Sequence, residues 1–189
     1  MLAATYHAPL GDIELVAGER GLVGLWFVDA PPCDADALLA RAARIEVRDA
    51  ESGCAACAPS DSADTASAAV LRHAWGWLNA YFAGQRPRWV PPVHFESTEL
   101  VHAVAAEVLS IDFAHAVTVD RLSEKLAVRA GAIGACGCGR VLSPRAVADA
   151  LASIPVRIVI PTHRVLTDVE SPRAAELREF EMGMIKSVR

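Results

Sequence analysis

Apolar spacing changes character once along this chain, and that change limits the folds open to it. Up to about residue 29 the apolar residues come in short β-rich runs separated by turn signals. Thr5-Tyr6-His7 leads into Pro9-Leu10-Gly11-Asp12, Ile13-Glu14-Leu15-Val16 into Glu19-Arg20-Gly21, and Leu22-Val23-Gly24-Leu25-Trp26-Phe27-Val28 follows. Residues 2–29 therefore read as a β-meander. From about Thr65 the spacing is helical, with Val70, Leu71, Trp75, Leu78 and Phe82 on one stripe until Gly84 stops it. Between these regions, residues 49–67 are small, polar and aromatic-free, and read as a loop or partly disordered linker. Pro87, Pro91 and Pro92 make an extended connection, which places a domain boundary at residue 92.

The second half reads as helices. Ser97-Thr98-Glu99 can open one whose apolar face is Val101, Val104, Val108 and Leu109. Val117-Thr118-Val119-Asp120 leads to another, Arg121 to about Val128, with Leu122, Leu126 and Ala127 inward. A glycine-rich loop follows (Gly131, Gly134, Gly137, Gly139), and then Ser143-Pro144 caps a third helix, Arg145 to Leu151. Helix, loop, helix with small residues on the second helix fits a helix-turn-helix DNA reader, and fits many all-helical cores as well. The expected class is α/β in the α+β sense. A small β-meander-plus-helix domain (1–92) precedes a mainly helical domain (93–189) that carries a helix-turn-helix.

Composition narrows the function classes. Of 189 residues, 53% are hydrophobic and 22% charged, with a net charge of −5, so the chain can build a core. No apolar run approaches the roughly 20 residues of a membrane span, and the N-terminus lacks the basic start and apolar stretch of a signal peptide. A cytoplasmic protein without a membrane partner is expected. Residues 1–95 carry 7 basic and 11 acidic side chains, and residues 145–189 carry 7 and 6, six of those cations being arginines. Bulk charge cannot bind a polyanion, although a local arginine surface near the C-terminus can. Five cysteines (Cys33, Cys54, Cys57, Cys136, Cys138) are an odd number for a disulfide framework. The pairs Cys54/Cys57 and Cys136/Cys138 could give zinc four thiolates only if their loops met; the reading taken is no metal and no cofactor.

Ile158-Val159-Ile160-Pro161-Thr162-His163-Arg164-Val165-Leu166 closely resembles the active-site segment of the O6-alkylguanine-DNA alkyltransferases (methylated-DNA–protein-cysteine methyltransferases), which reads apolar-Pro-Cys-His-Arg-Val. Arg145-Ala146-Val147, 17 residues before Thr162, is similar to the family's Arg-Ala-Val on its recognition helix, and Pro155-Val156 to its Asn-Pro-Val hinge. Tyr81-Phe82-Ala83-Gly84 resembles the end of its N-terminal-domain helix; Pro9-Leu10-Gly11 and Gly21 to Phe27 resemble its opening strands. The resemblance implies a protein that extrudes an alkylated guanine, fills the gap with an arginine and attacks the alkyl carbon with a thiolate. An adjacent histidine, relayed to a glutamate, helps to form that thiolate.

Several positions depart from that pattern. Thr162 stands at the nucleophile, Val119 at the aromatic that helps rotate the base, and Ile154 at the hinge asparagine. Residues 167–173 replace the family's glycine-rich loop, and Glu179 and Glu181 are both candidates for the relay glutamate. The expected site therefore holds Thr162 and His163 at the family's catalytic positions without activity. Arg145, Ala146, Arg164 and Arg140 are the expected DNA contacts, and Val119, Ile154 and Pro161 the lesion pocket. Implied partners are double-stranded DNA, with or without O6-alkylguanine, and other repair proteins. Three readings stand side by side: DNA binding without alkyl transfer, a remnant fold acting as a protein-interaction module, and residual transfer to another cysteine such as Cys136 or Cys138.

Overall fold

The structure, a computed structural model, describes residues 1–46, 62–133, 142–169 and 171–187. It is a mixed α/β fold in two compact units, Met1–Glu96 with Pro155–Val159, and Ser97–Ile154 with Ile160–Arg189.

In the first unit, β1 (Leu2–Ala8) and β2 (Gly11–Ala17) form a hairpin, with Leu2 opposite Ala17 and Ala8 opposite Gly11. β2 pairs antiparallel with β3 (Leu22–Phe27), so the meander read from the turn signals is present. Two elements without a sequence signal follow. The short helix α1 (Ala35–Ala40) packs beside Ala3, Val16 and Trp26, and β4 (Ala43–Arg44) adds to β1 in parallel, giving the order β3-β2-β1-β4.

The other face of the sheet is covered by α2 (Ser62–Phe82), where Tyr6 meets Trp75 edge-on and donates its hydroxyl to Asn79 at 2.9 Å. This helix stops at Gly84 for a specific reason. With φ +79°, Gly84 donates to the Tyr81 carbonyl and Gln85 to the Ala80 carbonyl, the paired bonds of a Schellman cap. Residues 155–159 belong to this unit because they pair along β3: Leu25 donates to the Pro155 carbonyl and Arg157 to that of Leu25. The 93–189 boundary had placed them in the second domain.

In the second unit α3 (Glu99–Leu109), α4 (Val119–Ile133) and α5 (Pro144–Ala152) pack on one another. Thr98 caps α3, accepting from the Val101 amide. Val101, Val104 and Val108 face inward, whereas Leu109, one residue off that stripe, is exposed. α4 begins two residues earlier than its spacing suggested, because the Thr118 hydroxyl accepts from the Arg121 amide as its cap. Ser143 caps α5 by accepting from Ala146, with Pro144 in the first turn as read. Val117–Thr118 (β5) and Val165–Leu166 (β6) form a two-stranded parallel pair, and α6 (Pro172–Ser187) closes the chain. No helix among the described residues is long and apolar enough to cross a membrane.

Candidate functional site

The segment that carried the resemblance is a tight double turn. Pro161, buried at φ −78° and ψ 63°, centres an inverse γ-turn in which the Thr162 amide donates to the Ile160 carbonyl at 2.7 Å. A single 3₁₀ turn, Thr162–Arg164, follows, with Arg164 donating to Pro161 at 2.9 Å. The chain leaves through β6, whose pairing of Val165 with Val117 brings the turn beside the start of α4.

Beneath the turn lies Glu181 of α6, fully buried. Its carboxylate accepts from His163 Nε2 at 2.9 Å and from the Arg164 guanidinium, with Nη2 at 2.8 Å and Nε at 3.1 Å from its two oxygens. It also accepts from the Ala114 amide at 2.9 Å. Ala114 sits at φ +57°, a left-handed conformation that costs a non-glycine residue roughly 1–2 kcal/mol, and this hydrogen bond offsets part of that cost. Arg164 also donates to the Ile111 carbonyl at 2.8 Å and lies over the Phe113 ring. Arg178, one turn before Glu181 on α6, donates to the His163 carbonyl at 2.6 Å. One helix thus grips the turn through both a side chain and a main-chain group.

The electrostatics assign the protons. Burial pushes the Glu181 carboxyl up, but the hydrogen bonds and charges of His163 and Arg164 outweigh it and hold the pKa down at about 2. For His163, burial dominates and lowers the pKa; Glu181 opposes that, while Arg164 and Arg178 reinforce it. The two assignments compete for one proton, because a neutral imidazole cannot also be the cation that holds Glu181 ionised. Arg164 resolves this. Its permanent guanidinium charge suffices to keep the carboxylate ionised, so His163 is neutral. Glu181 can only accept, so the imidazole carries its hydrogen on Nε2 and keeps a lone pair on Nδ1. That buried Nδ1 has no hydrogen-bond partner among the described residues.

The remaining residues singled out from sequence fall as follows. Thr162 is half-buried at the head of the turn, and Pro161, Val119 (first residue of α4) and Ile154 are buried, Ile154 completely. Arg145 is exposed in the first turn of α5, with Ala146 half-buried beside it. Arg164, expected at a DNA contact, turns its guanidinium inward, where Glu181 and the Ile111 carbonyl accept from it. Arg140, Cys54, Cys57, Cys136 and Cys138 lie outside the described residues, while Cys33 is an exposed free thiol. Of the two candidate glutamates, Glu181 meets His163 and Glu179 is exposed. Helical spacing could have separated them, since Glu181 follows the buried Leu177 by four residues. Arg178 and Ala114 had no sequence signal, because their contacts are made by a guanidinium on a carbonyl and by an amide.

Comparison with known proteins agrees across both units. The family model of the 6-O-methylguanine DNA methyltransferase ribonuclease-like domain matches residues 1–88. Methylated-DNA–protein-cysteine methyltransferases of Saccharolobus islandicus and Saccharolobus solfataricus are each 23% identical to the chain over 163 residues, 86% of this chain and 79% of the relative. Among solved structures, Mycobacterium tuberculosis OGT in complex with DNA superimposes with a TM-score of 0.67 at 19% identity, covering 97% of this chain and 94% of that one. The M. tuberculosis O6-methylguanine methyltransferase gives a TM-score of 0.65 at 19% identity, over 97% and 93%.

Proposed function

We propose that the chain is a member of the O6-methylguanine-DNA methyltransferase family and a DNA-repair protein that binds duplex DNA, alkylated or intact, without taking an alkyl group onto itself. The observation that carries this reading is Thr162 at the head of the turn, beside a neutral His163. Alkyl transfer would form a bond from the attacking atom to the O6-alkyl carbon and break that carbon's bond to O6. A thiolate can do this near neutral pH, whereas a threonine hydroxyl ionises far above it. The histidine is no substitute for that deficit. A pKa lowered by burial makes it a weaker base than free imidazole.

DNA contact is assigned to α5. Arg145 projects from its first turn, where a cation is mildly disfavoured by the helix dipole and so calls for a compensating partner. Ala146 and Ala148 are half-buried and small, which suits close approach to a groove; Ala150, buried, takes no part in that surface. The DNA-bound M. tuberculosis relative supports this use of the fold. Arg145 can fill a vacated stack as the family's arginine does.

The second reading, a remnant fold that engages other proteins, draws on Val119 and Ile154. Both are buried apolar side chains where the resemblance implies groups that handle the flipped base. Two measurements discriminate. Intact mass after incubation with excess O6-methylguanine duplex is expected to be unchanged, and a gain of one methyl group, on Cys33 or any other residue, overturns the non-transferring reading. Binding of duplex DNA that falls steeply with added salt is expected. No binding at low salt leaves the remnant module.

A further inference from the structure

The first unit carries a surface that the duplex reading does not use. From Thr65 to Phe95 the sequence has three arginines and two histidines and not one Asp or Glu, in a chain whose net charge is −5. The fold gathers part of this stretch around one aromatic pair. Trp89 stacks on His73 of α2 with ring centroids 4.4 Å apart and planes 13° from parallel. The indole is 39% exposed, against 2% for Trp26 and 7% for Trp77. His73, Arg72 beside it on the helix and Arg88 beside the indole are exposed too.

The connection that carries Trp89 is held at both ends. On one side stands the Schellman cap at Gly84. On the other, Leu22 of β3 donates to the Pro92 carbonyl at 2.8 Å and His94 donates back to Leu22 at 2.8 Å. Pro87, Pro91 and Pro92 restrict the backbone between these anchors. A large indole in such a setting is set before any ligand arrives, so little is lost in ordering it.

A solvent-facing ring pair flanked in sequence by exposed arginines, within a stretch that has no Asp or Glu, has the chemistry of a platform for unpaired bases. The ring takes a base face and the arginines take the phosphates on either side. We propose that the Trp89–His73 pair with Arg72 and Arg88 is a contact for single-stranded nucleic acid, made by other residues than those proposed for duplex contact on α5. A duplex keeps its base faces stacked inside and has none to offer an indole, so the platform distinguishes strands rather than sequences. The proposal does not depend on the proposed duplex function.

The test is binding of a fluorescently labelled oligothymidylate of about 16 nucleotides to the full chain at low salt, followed by anisotropy and by tryptophan emission. The expected results are saturable binding that quenches emission, a loss of about 5- to 150-fold in Trp89→Ala, and retention within about threefold in Trp89→Phe. Arg88→Glu is expected to weaken binding and to flatten its salt dependence. Arg145→Ala is expected to leave this binding unchanged, even if it reduces duplex binding or if no duplex binding exists. Melting curves show whether each variant is folded, and Arg88→Glu serves as the second variant if Trp89→Ala is not. Absence of oligonucleotide binding by the native chain overturns the proposal, as does a folded Trp89→Ala that binds like the native chain. So does an Arg145→Ala loss equal to that of Trp89→Ala, which would place the strand on α5. Equal competition by polyglutamate would assign the surface to an acidic protein segment instead.

Discussion

Glu181→Gln tests whether the buried carboxylate holds the Pro161–Arg164 turn together. The substitution keeps size and shape but removes the charge that Arg164 faces at 2.8 Å. It also replaces one acceptor oxygen by an NH₂ group, so the Ala114 amide and His163 Nε2–H can no longer both be satisfied. The Glu181 pKa, held down at about 2, gives the sign: the ionised carboxylate stabilises the fold. Removing one partner of a buried ion pair costs about 3–5 kcal/mol, most of it from the charge left behind. Urea unfolding at neutral pH should therefore show Glu181→Gln destabilised by about 3 kcal/mol, with a melting temperature roughly 6–12 °C lower. The double variant Glu181→Gln/Arg164→Met should recover part of that loss, because it leaves no unpaired charge and keeps one acceptor for the Ala114 amide or His163. A single-variant cost below about 1 kcal/mol would refute the reasoning and make the network incidental to stability.

Thr162→Cys is expected not to reach a family-like transfer rate, since Val119 and Ile154 offer the base no hydrogen bond and His163 is a weakened base; single-turnover intact mass reads this, and rapid methylation would disprove it. Arg145→Ala should weaken duplex binding more at a damaged or extruded base than at intact DNA and reduce the salt slope by about one, whereas equal weakening on both would make Arg145 a phosphate contact alone. Stability should fall with acid in two stages. The folded His163 pKa lies below its ordinary 6.5, so its contribution is complete above pH 6.5 and is lost as pH drops toward the folded value. Glu181, also lowered, adds a second loss from pH 4.5 down to about 2. In urea midpoints taken across this range, His163→Gln should remove the first stage, and an unchanged first stage would refute the assignment of a neutral imidazole.

Legibility in the sequence followed the range of the interactions involved. The meander, the Gly84 stop, and the Thr98 and Ser143 caps are set by residues within a few positions of each other, and each stands where its local signal put it. The pairing of 155–159 with β3 spans some 130 residues and has no local signature, so nothing near the segment in sequence announces it. The element β4 is two residues long and gains its stability from β1 alone, too short for any periodicity to register. Arg164 shows a different limit. Its place in the motif gives its identity, but whether a guanidinium turns outward to phosphate or inward to a carboxylate depends on Glu181, 17 residues later on another element.

The inward-turned Arg164 gives His163 and Glu181 a structural use that does not depend on any nucleophile. In the chemistry implied by the family, histidine and glutamate serve the thiolate, and losing the thiol would leave them without a purpose. Here the same carboxylate closes a structural circuit: it fixes His163, neutralises Arg164 and holds Ala114 in a left-handed conformation, while Arg178 on the same helix secures the His163 carbonyl. Replacing Glu181 would strand a guanidinium whose side chain is only 12% exposed, at a cost of several kcal/mol out of the roughly 5–15 kcal/mol that keeps a domain folded. Thr162 has no such obligations, because its side chain is half-buried at the head of the turn and its structural bond is made by its main-chain amide. Position 162 can therefore change at less cost in stability than Glu181 can. Pro161, His163, Arg164 and Glu181 are thus tied to the stability of the turn, and on the proposed non-transferring function their retention beside Thr162 follows from that asymmetry.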